Sequence, residues 1–134
     1  MSEENVALVR DFAGAAQSGD WERVTELVDP ELEGHGTVGG LDEGRVFRGL
    51  PALVHAFEIE DAEAWEERRI EPTDFVDGGD VIVILIHEFR RGKGSGVELE
   101  TDTAVVATVR GGRIVRVQGY MEQDAALKAA GLST

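Results

Sequence analysis

Apolar positions near the start of the chain follow a helical repeat. Val6, Val9, Phe12, Ala13 and Ala16 fall on one face at 3.6-residue spacing, and Ser18-Gly19 ends the pattern. Asp20 then caps a second helix from Trp21 to about Val28, whose buried positions are Val24, Leu27 and Val28, and Pro30 closes it. Residues 31–45 break the pattern: Glu31-Leu32-Glu33 reads as a short strand, and the glycines at 34, 36, 39, 40 and 44 read as a mobile loop. Gly49-Leu50-Pro51 opens a third helix carrying Leu53, Val54 and Phe57.

From Trp65 onward the period changes to two. Arg68–Val76, Val81–Phe89, Val97–Val109 and Ile114–Met121 read as four long strands. They are joined by turns at Asp77–Asp80, Arg90–Gly96 and Gly111-Gly112. Gln123–Ala130 is a short closing helix ended by Gly131. Three helices followed by an antiparallel sheet predict an α+β fold.

Length and composition narrow this picture. The 134 residues make one domain, spanning 1–134, with no repeat or linker. A chain of this size buries roughly two-thirds of its unfolded surface, enough for one core. With no cysteine there is no disulfide framework, thiolate metal site or cysteine nucleophile. Twenty-seven acids against 13 bases give a formal charge of −14, which repels phosphate backbones and anionic membranes. Neither nucleic acid nor membrane is therefore expected as a partner. The longest apolar run, Val81–Ile86, is far short of the ~20 residues of a membrane span. The acidic start of the chain does not read as a signal peptide, so a soluble, cytoplasmic protein is expected.

Candidate chemistry is sparse. Gly34–Gly39 matches G-x-G-x-x-G, but lacks the strand-to-helix context that holds a pyrophosphate. His87-Glu88 begins like a zinc helix motif, yet position 91 is arginine and the segment reads as strand. His35, His55 and His87 show no ligand spacing, so no metal and no cofactor is expected. Glu98, Glu100 and Asp102 alternate along one strand and share a face. In a pocket their mutual repulsion would hold one protonated, as a general acid or base requires; on a solvated face they are surface charge. His35 is a further candidate for proton transfer.

The order of these signals resembles the SnoaL-like branch of the nuclear transport factor 2-like superfamily. The resemblance rests on Ser18-Gly19-Asp20-Trp21, Leu27-Val28-Asp29-Pro30 and Phe47-Arg48-Gly49-Leu50-Pro51-Ala52-Leu53. It also rests on Gly94-Ser95-Gly96-Val97-Glu98, Gly111-Gly112-Arg113-Ile114-Val115 and the tail from Tyr120 to Leu132. It implies a cystatin-like cone: three N-terminal helices packed in a strongly curved antiparallel sheet, with a short C-terminal helix. A pocket is implied at the open end and a homodimer through the outer face of the sheet. Laid on the family's last turn, the chain places Phe12, Ile86, Ala104, Val115, Val117, Gly119 and Met121 around that pocket.

The resemblance does not supply a known catalytic set. Phe12, Gly34 and Ala104 or Val105 stand where ketosteroid isomerases carry a tyrosine and two aspartates. Gly119 and Val105 stand where the polyketide cyclases carry an aspartate and a histidine. The epoxide hydrolase-like members use an aspartate–arginine–aspartate set, and no arginine lies two residues from Asp102. Two expectations follow. One is an acid–base isomerase, cyclase or hydrolase acting without metal on a small apolar molecule, with His35, Glu100 and Asp102 as catalytic candidates. The other is a non-catalytic module that binds a small molecule or dimerises.

Overall fold

The computed structural model describes residues 2–132. Helix α1 (Ser2–Ser18) turns Val9, Phe12, Ala13 and Ala15 inward. Gly19, at φ +76°, takes the left-handed conformation that ends it without a Cβ clash. Helix α2 (Trp21–Leu27) starts at Asp20, whose side chain accepts from the Arg23 amide at 3.1 Å. Arg23 is salt-bridged to Asp11, which ties the two helices together.

Strands β1 (Val28–Val38) and β2 (Val46–Arg48) come next, before helix α3 (Leu50–His55). A π-helical turn (Ala56–Asp61) and a 3-10 turn (Ala62–Ala64) lead into β3 (Trp65–Asp77). Then follow β4 (Val81–Gly92), β5 (Glu98–Arg110), β6 (Arg113–Tyr120) and helix α4 (Gln123–Ala129).

The six strands form one sheet in the order β2-β1-β6-β5-β4-β3. Every neighbouring pair is antiparallel except β1 and β6, which run parallel. The sheet is thus mixed, not purely antiparallel. The expected three-helix start is also interrupted, because β1 and β2 separate α2 from α3.

The glycine-rich stretch after Glu33 is strand as far as Val38, in place of the expected loop, and turn from Gly39 to Gly44, as expected. Gly34 and Gly36 lie within β1 because close neighbours leave no room for side chains. A Cβ on Gly34 would stand 2.9 Å from Leu53, and one on Gly36 would stand 1.9 Å from the Asp42 carbonyl oxygen. The loop signal at these glycines records close approach of backbone to neighbour.

One face of the sheet packs on α1 and α2. Val9, Val24, Leu32, Ile82 and Ile114 are fully buried there, with Ile84, Ala107 and Val117. The other face is partly covered by α4, whose Ala126 packs with Val83 and Ala104. On β4 this fixes the alternation: Ile82, Ile84 and Ile86 face the helices, while Val83 and Leu85 face α4. Because Tyr120 pairs with Ala104, β5 runs on past the end of β6, and among the described residues Glu98–Thr103 has no strand on that side. No described helix is long and apolar enough to cross a membrane.

Candidate functional site

The β4 alternation continues beyond its apolar part. Glu88 and Arg90 follow Ile82, Ile84 and Ile86 on the face toward the helices. Opposite them on β3 stand Ile70 and Arg68, and beside Glu88 on β5 runs Thr103, two residues along from its cross-strand partner Thr101 and on the same face. The turns after α3 bring Phe57, Glu58 and Asp61 over this end of the sheet.

These groups form one connected polar network. Thr103, the one buried polar residue among those described, donates its hydroxyl to Glu88 Oε2. Arg90 donates from Nε and Nη2 to Glu88 Oε1, at 3.0 and 2.7 Å. Its Nη1 reaches Asp61 Oδ2 at 2.8 Å, and Arg68 Nη1 reaches the same oxygen at 2.6 Å. The side chains of Arg68, Arg90 and Glu88 are only 15, 20 and 17% exposed, against 38% for Asp61. Burial opposes the Arg90 charge, but its hydrogen bonds to Asp61 and Glu88 outweigh that and hold the guanidinium above its ordinary range. Aromatic rings back both arginines: Arg68 lies 4.1 Å over Phe57, and Arg90 lies 5.3 Å over Trp65.

The arrangement is an arginine held between two carboxylates, with a second arginine on the outer one. Both Glu88 oxygens are occupied, so Glu88 fixes Arg90. Asp61 is more exposed and engages both arginines through Oδ2.

The residues singled out from sequence are placed differently. Asp102 pairs with His87 and Glu100 with Phe89, so both lie on the sheet face away from α1. The expected inward register is therefore corrected, and the physical reason is pairing parity: Val105 and Ala107, not Ala104, continue the helix-facing row of β5. His35 also points outward, opposite Gln118, with Nε2 3.1 Å from Glu33 Oε1. That hydrogen bond, helped by Arg48, holds the Glu33 carboxyl below its ordinary range. The three catalytic candidates are thus not brought together on the helix side.

Glu100 and Asp102 do meet His87 on the outer face. His87 Nδ1 lies 2.7 Å from Asp102 Oδ1 and Nε2 lies 3.3 Å from Glu100 Oε1. The two carboxylates raise the His87 pKa. A shallow cleft of about 230 Å³ adjoins the histidine, lined also by Arg69, Glu71 and Phe89.

The expected pocket residues divide in the same way. Phe12, Ile86 and Val117 belong to the helix-side core. Gly119 pairs with Val105 on that side, but Thr37 fills the space, since a Cβ there would stand 2.6 Å from Thr37 Oγ1. Ala104 lies under α4 on the opposite face. Val115 is the extra residue where β6 slips against β5, between the Arg116 and Ile114 pairs. Met121 lies past the end of β6, 37% exposed and packed toward Gly39, so it is on the rim and not a wall. A larger open groove, about 750 Å³, lies at the other end of β5 between α1 and the Gly111-Gly112 turn. Its lining mixes apolar groups with the Arg23–Asp11 ion pair that ties α1 to α2.

The sequence did carry a signal for Glu88 and Arg90. They extend an inward-facing isoleucine register, and two charges on a core-facing row call for a reason. Asp61 carries no such signal, because its position depends on the π-helical turn. No group of three or more His, Asp or Glu among the described residues is arranged to hold a metal ion.

An α-helical layer held against one face of a mixed six-stranded sheet, with a polar cluster at one end, defines the nuclear transport factor 2-like fold class. The chain belongs to the SnoaL-like domain family, whose model matches residues 9–117. It is similar in structure to a nuclear transport factor 2-like protein from Burkholderia xenovorans (25% identity, 97 and 98% of the two chains, TM-score 0.71). It is also similar to TerC co-crystallised with polyporic acid (18% identity, 96 and 98%, TM-score 0.73). A third similar structure, from Jannaschia, is one named for its likeness to SnoaL-like polyketide cyclases (16% identity, 99 and 95%, TM-score 0.72). No curated protein matches the chain.

Proposed function

We propose that this protein binds a small organic molecule at the Glu88–Arg90–Asp61 network and catalyses an acid–base reaction on it. The observation that carries this is the single arginine hydrogen-bonded to two carboxylates, on the helix-facing side of the sheet. Asp61 is the proton acceptor in this reading, because it is the more exposed acid and its hydrogen bonds to the arginines use Oδ2. Arg90 and Arg68 supply positive charge where an oxyanion develops, and Glu88 with Thr103 holds Arg90 in place. The set is of the acid–arginine–acid type that the epoxide hydrolase-like branch implies, with Glu88 and Arg90 on β4 and Asp61 in the π-helical turn. A fold neighbour crystallised with polyporic acid supports small-molecule binding as the use of this fold.

The non-catalytic reading draws support from one observation: both Glu88 oxygens are already hydrogen-bonded, as a structural network would have them. The two readings separate in deuterium oxide. A panel of small cyclic ketones and epoxides is incubated with the protein, and deuterium uptake and ring opening are read by mass spectrometry. Turnover that Asp61→Asn abolishes, in a variant whose circular dichroism is unchanged, is the expected result. Turnover that survives Asp61→Asn overturns the assignment, and retention of a panel member without turnover favours the binding module. A homodimer through the sheet's outer face remains part of the proposal, and sedimentation of the same sample reads it.

A further inference from the structure

Resting on that reading, we infer that the ligand of this site is a small carboxylate on a flat apolar body, which takes the place of Asp61 between Arg68 and Arg90. Two guanidiniums converge on one carboxylate oxygen, at 2.6 and 2.8 Å. Planar, largely covered guanidiniums are well matched to a carboxylate, more so than a lysine would be. The carboxylate that holds them now belongs to a weakly packed part of the chain. Neither the π-helical turn nor the 3-10 turn after it contains a buried residue.

That segment is attached mainly by polar and ring contacts. Arg68 pairs with Asp61 and lies over Phe57, Arg45 pairs with Glu60, and Phe57 meets Trp21 edge-on at 6.1 Å between centroids. A segment with little buried apolar surface opens at low free-energy cost. When it does, an incoming carboxylate restores the hydrogen bonds that the arginines lose, so the exchange leaves neither guanidinium bare. Trp65, which backs Arg90 from the start of β3 and lies outside the opening segment, is placed to receive the apolar body of the ligand. The chain's charge of −14 disfavours polyanions more strongly than a monocarboxylate.

Benzoate is the probe and benzamide its neutral match, with binding read by calorimetry at fixed ionic strength. Wild-type protein should bind benzoate and not benzamide. Asp61→Asn and Asp61→Ala remove the internal competitor and should tighten benzoate binding by about tenfold or more, whereas Arg68→Gln and Arg90→Lys should weaken it by a similar factor. Folding of each variant is checked by circular dichroism. Equal binding of benzamide, unchanged benzoate affinity in both Asp61 variants, or failure of folded Asp61→Ala to bind benzoate overturns the inference. The readout is independent of turnover. Benzoate binding that tightens in the Asp61 variants, in a protein without turnover, upholds the anion site and removes the catalytic reading; Asp61-dependent turnover without benzoate binding does the reverse.

Discussion

Arg68 and Arg90, on neighbouring strands, direct their guanidiniums at the same oxygen of Asp61. Their register partnership on β3 and β4 makes this possible, because directly paired residues project from the same face. Two like charges side by side would be unfavourable without the carboxylate between them. The polar end of the fold is thus organised around shared acceptors: Asp61 for two arginines, and Glu88 for an arginine and a threonine.

Thr103 tests the inner half of that network. Thr103→Val keeps the shape of the side chain but leaves Glu88 Oε2 without its donor. A buried acceptor that loses its partner costs about 1–3 kcal/mol, and more when charged. Urea denaturation should show a loss of that size, and Thr103→Ser should recover most of it. A Thr103→Val protein as stable as wild type would mean that the hydroxyl contributes nothing to fixing Glu88.

His87 tests the outer face. Asp102 first, then Glu100, raise its pKa in the folded chain above the ordinary value. A raised folded pKa means that the imidazolium contributes stability fully below the unfolded pKa, and that this contribution disappears as pH rises through the folded value. Titration by NMR should place the His87 midpoint above that of the same histidine in the urea-unfolded chain. Asp102→Asn should lower it. Identical midpoints in both states would show that solvent screens the two carboxylates completely.

Gly36 tests the loop after β1. Its amide donates to the Arg45 carbonyl at 2.8 Å, and a Cβ there would stand 1.9 Å from the Asp42 carbonyl oxygen. The obstacle is backbone, which cannot rotate aside. Gly36→Ala should therefore cost about 1–3 kcal/mol, the usual range for forced overpacking, and raise amide exchange at residues 39–45. Gly19→Ala is a different case, since its cost is only conformational at φ +76°. Unaltered exchange in the loop of Gly36→Ala would refute the close-approach account.

Periodicity made most of the fold legible. The inward positions of α1, the strands from Trp65 onward and the three turns all follow from spacing and glycine placement. What spacing missed was set by contacts distant in sequence. Gly34 and Gly36 are glycines inside a strand because Leu53 and the Asp42 backbone leave no room for a side chain, and nothing local encodes that. The parallel pairing of β1 with β6 joins segments about 80 residues apart. The candidate site turned on parity. Placing Ala104 inward instead of Val105 moves Glu100 and Asp102 to the wrong face, and one residue of register reverses a whole strand.

The overhang of β5 beyond β6 has a bearing on how copies of this chain coexist at high concentration. A bare strand edge is a template for another strand, and long exposed edges seed fibres. If two copies joined antiparallel about Thr101, Glu100 of each would stand opposite Asp102 of the other, and the outer face of the new seam would carry acids in register. The acidic row that looks like catalytic machinery in the sequence would make such self-pairing electrostatically costly.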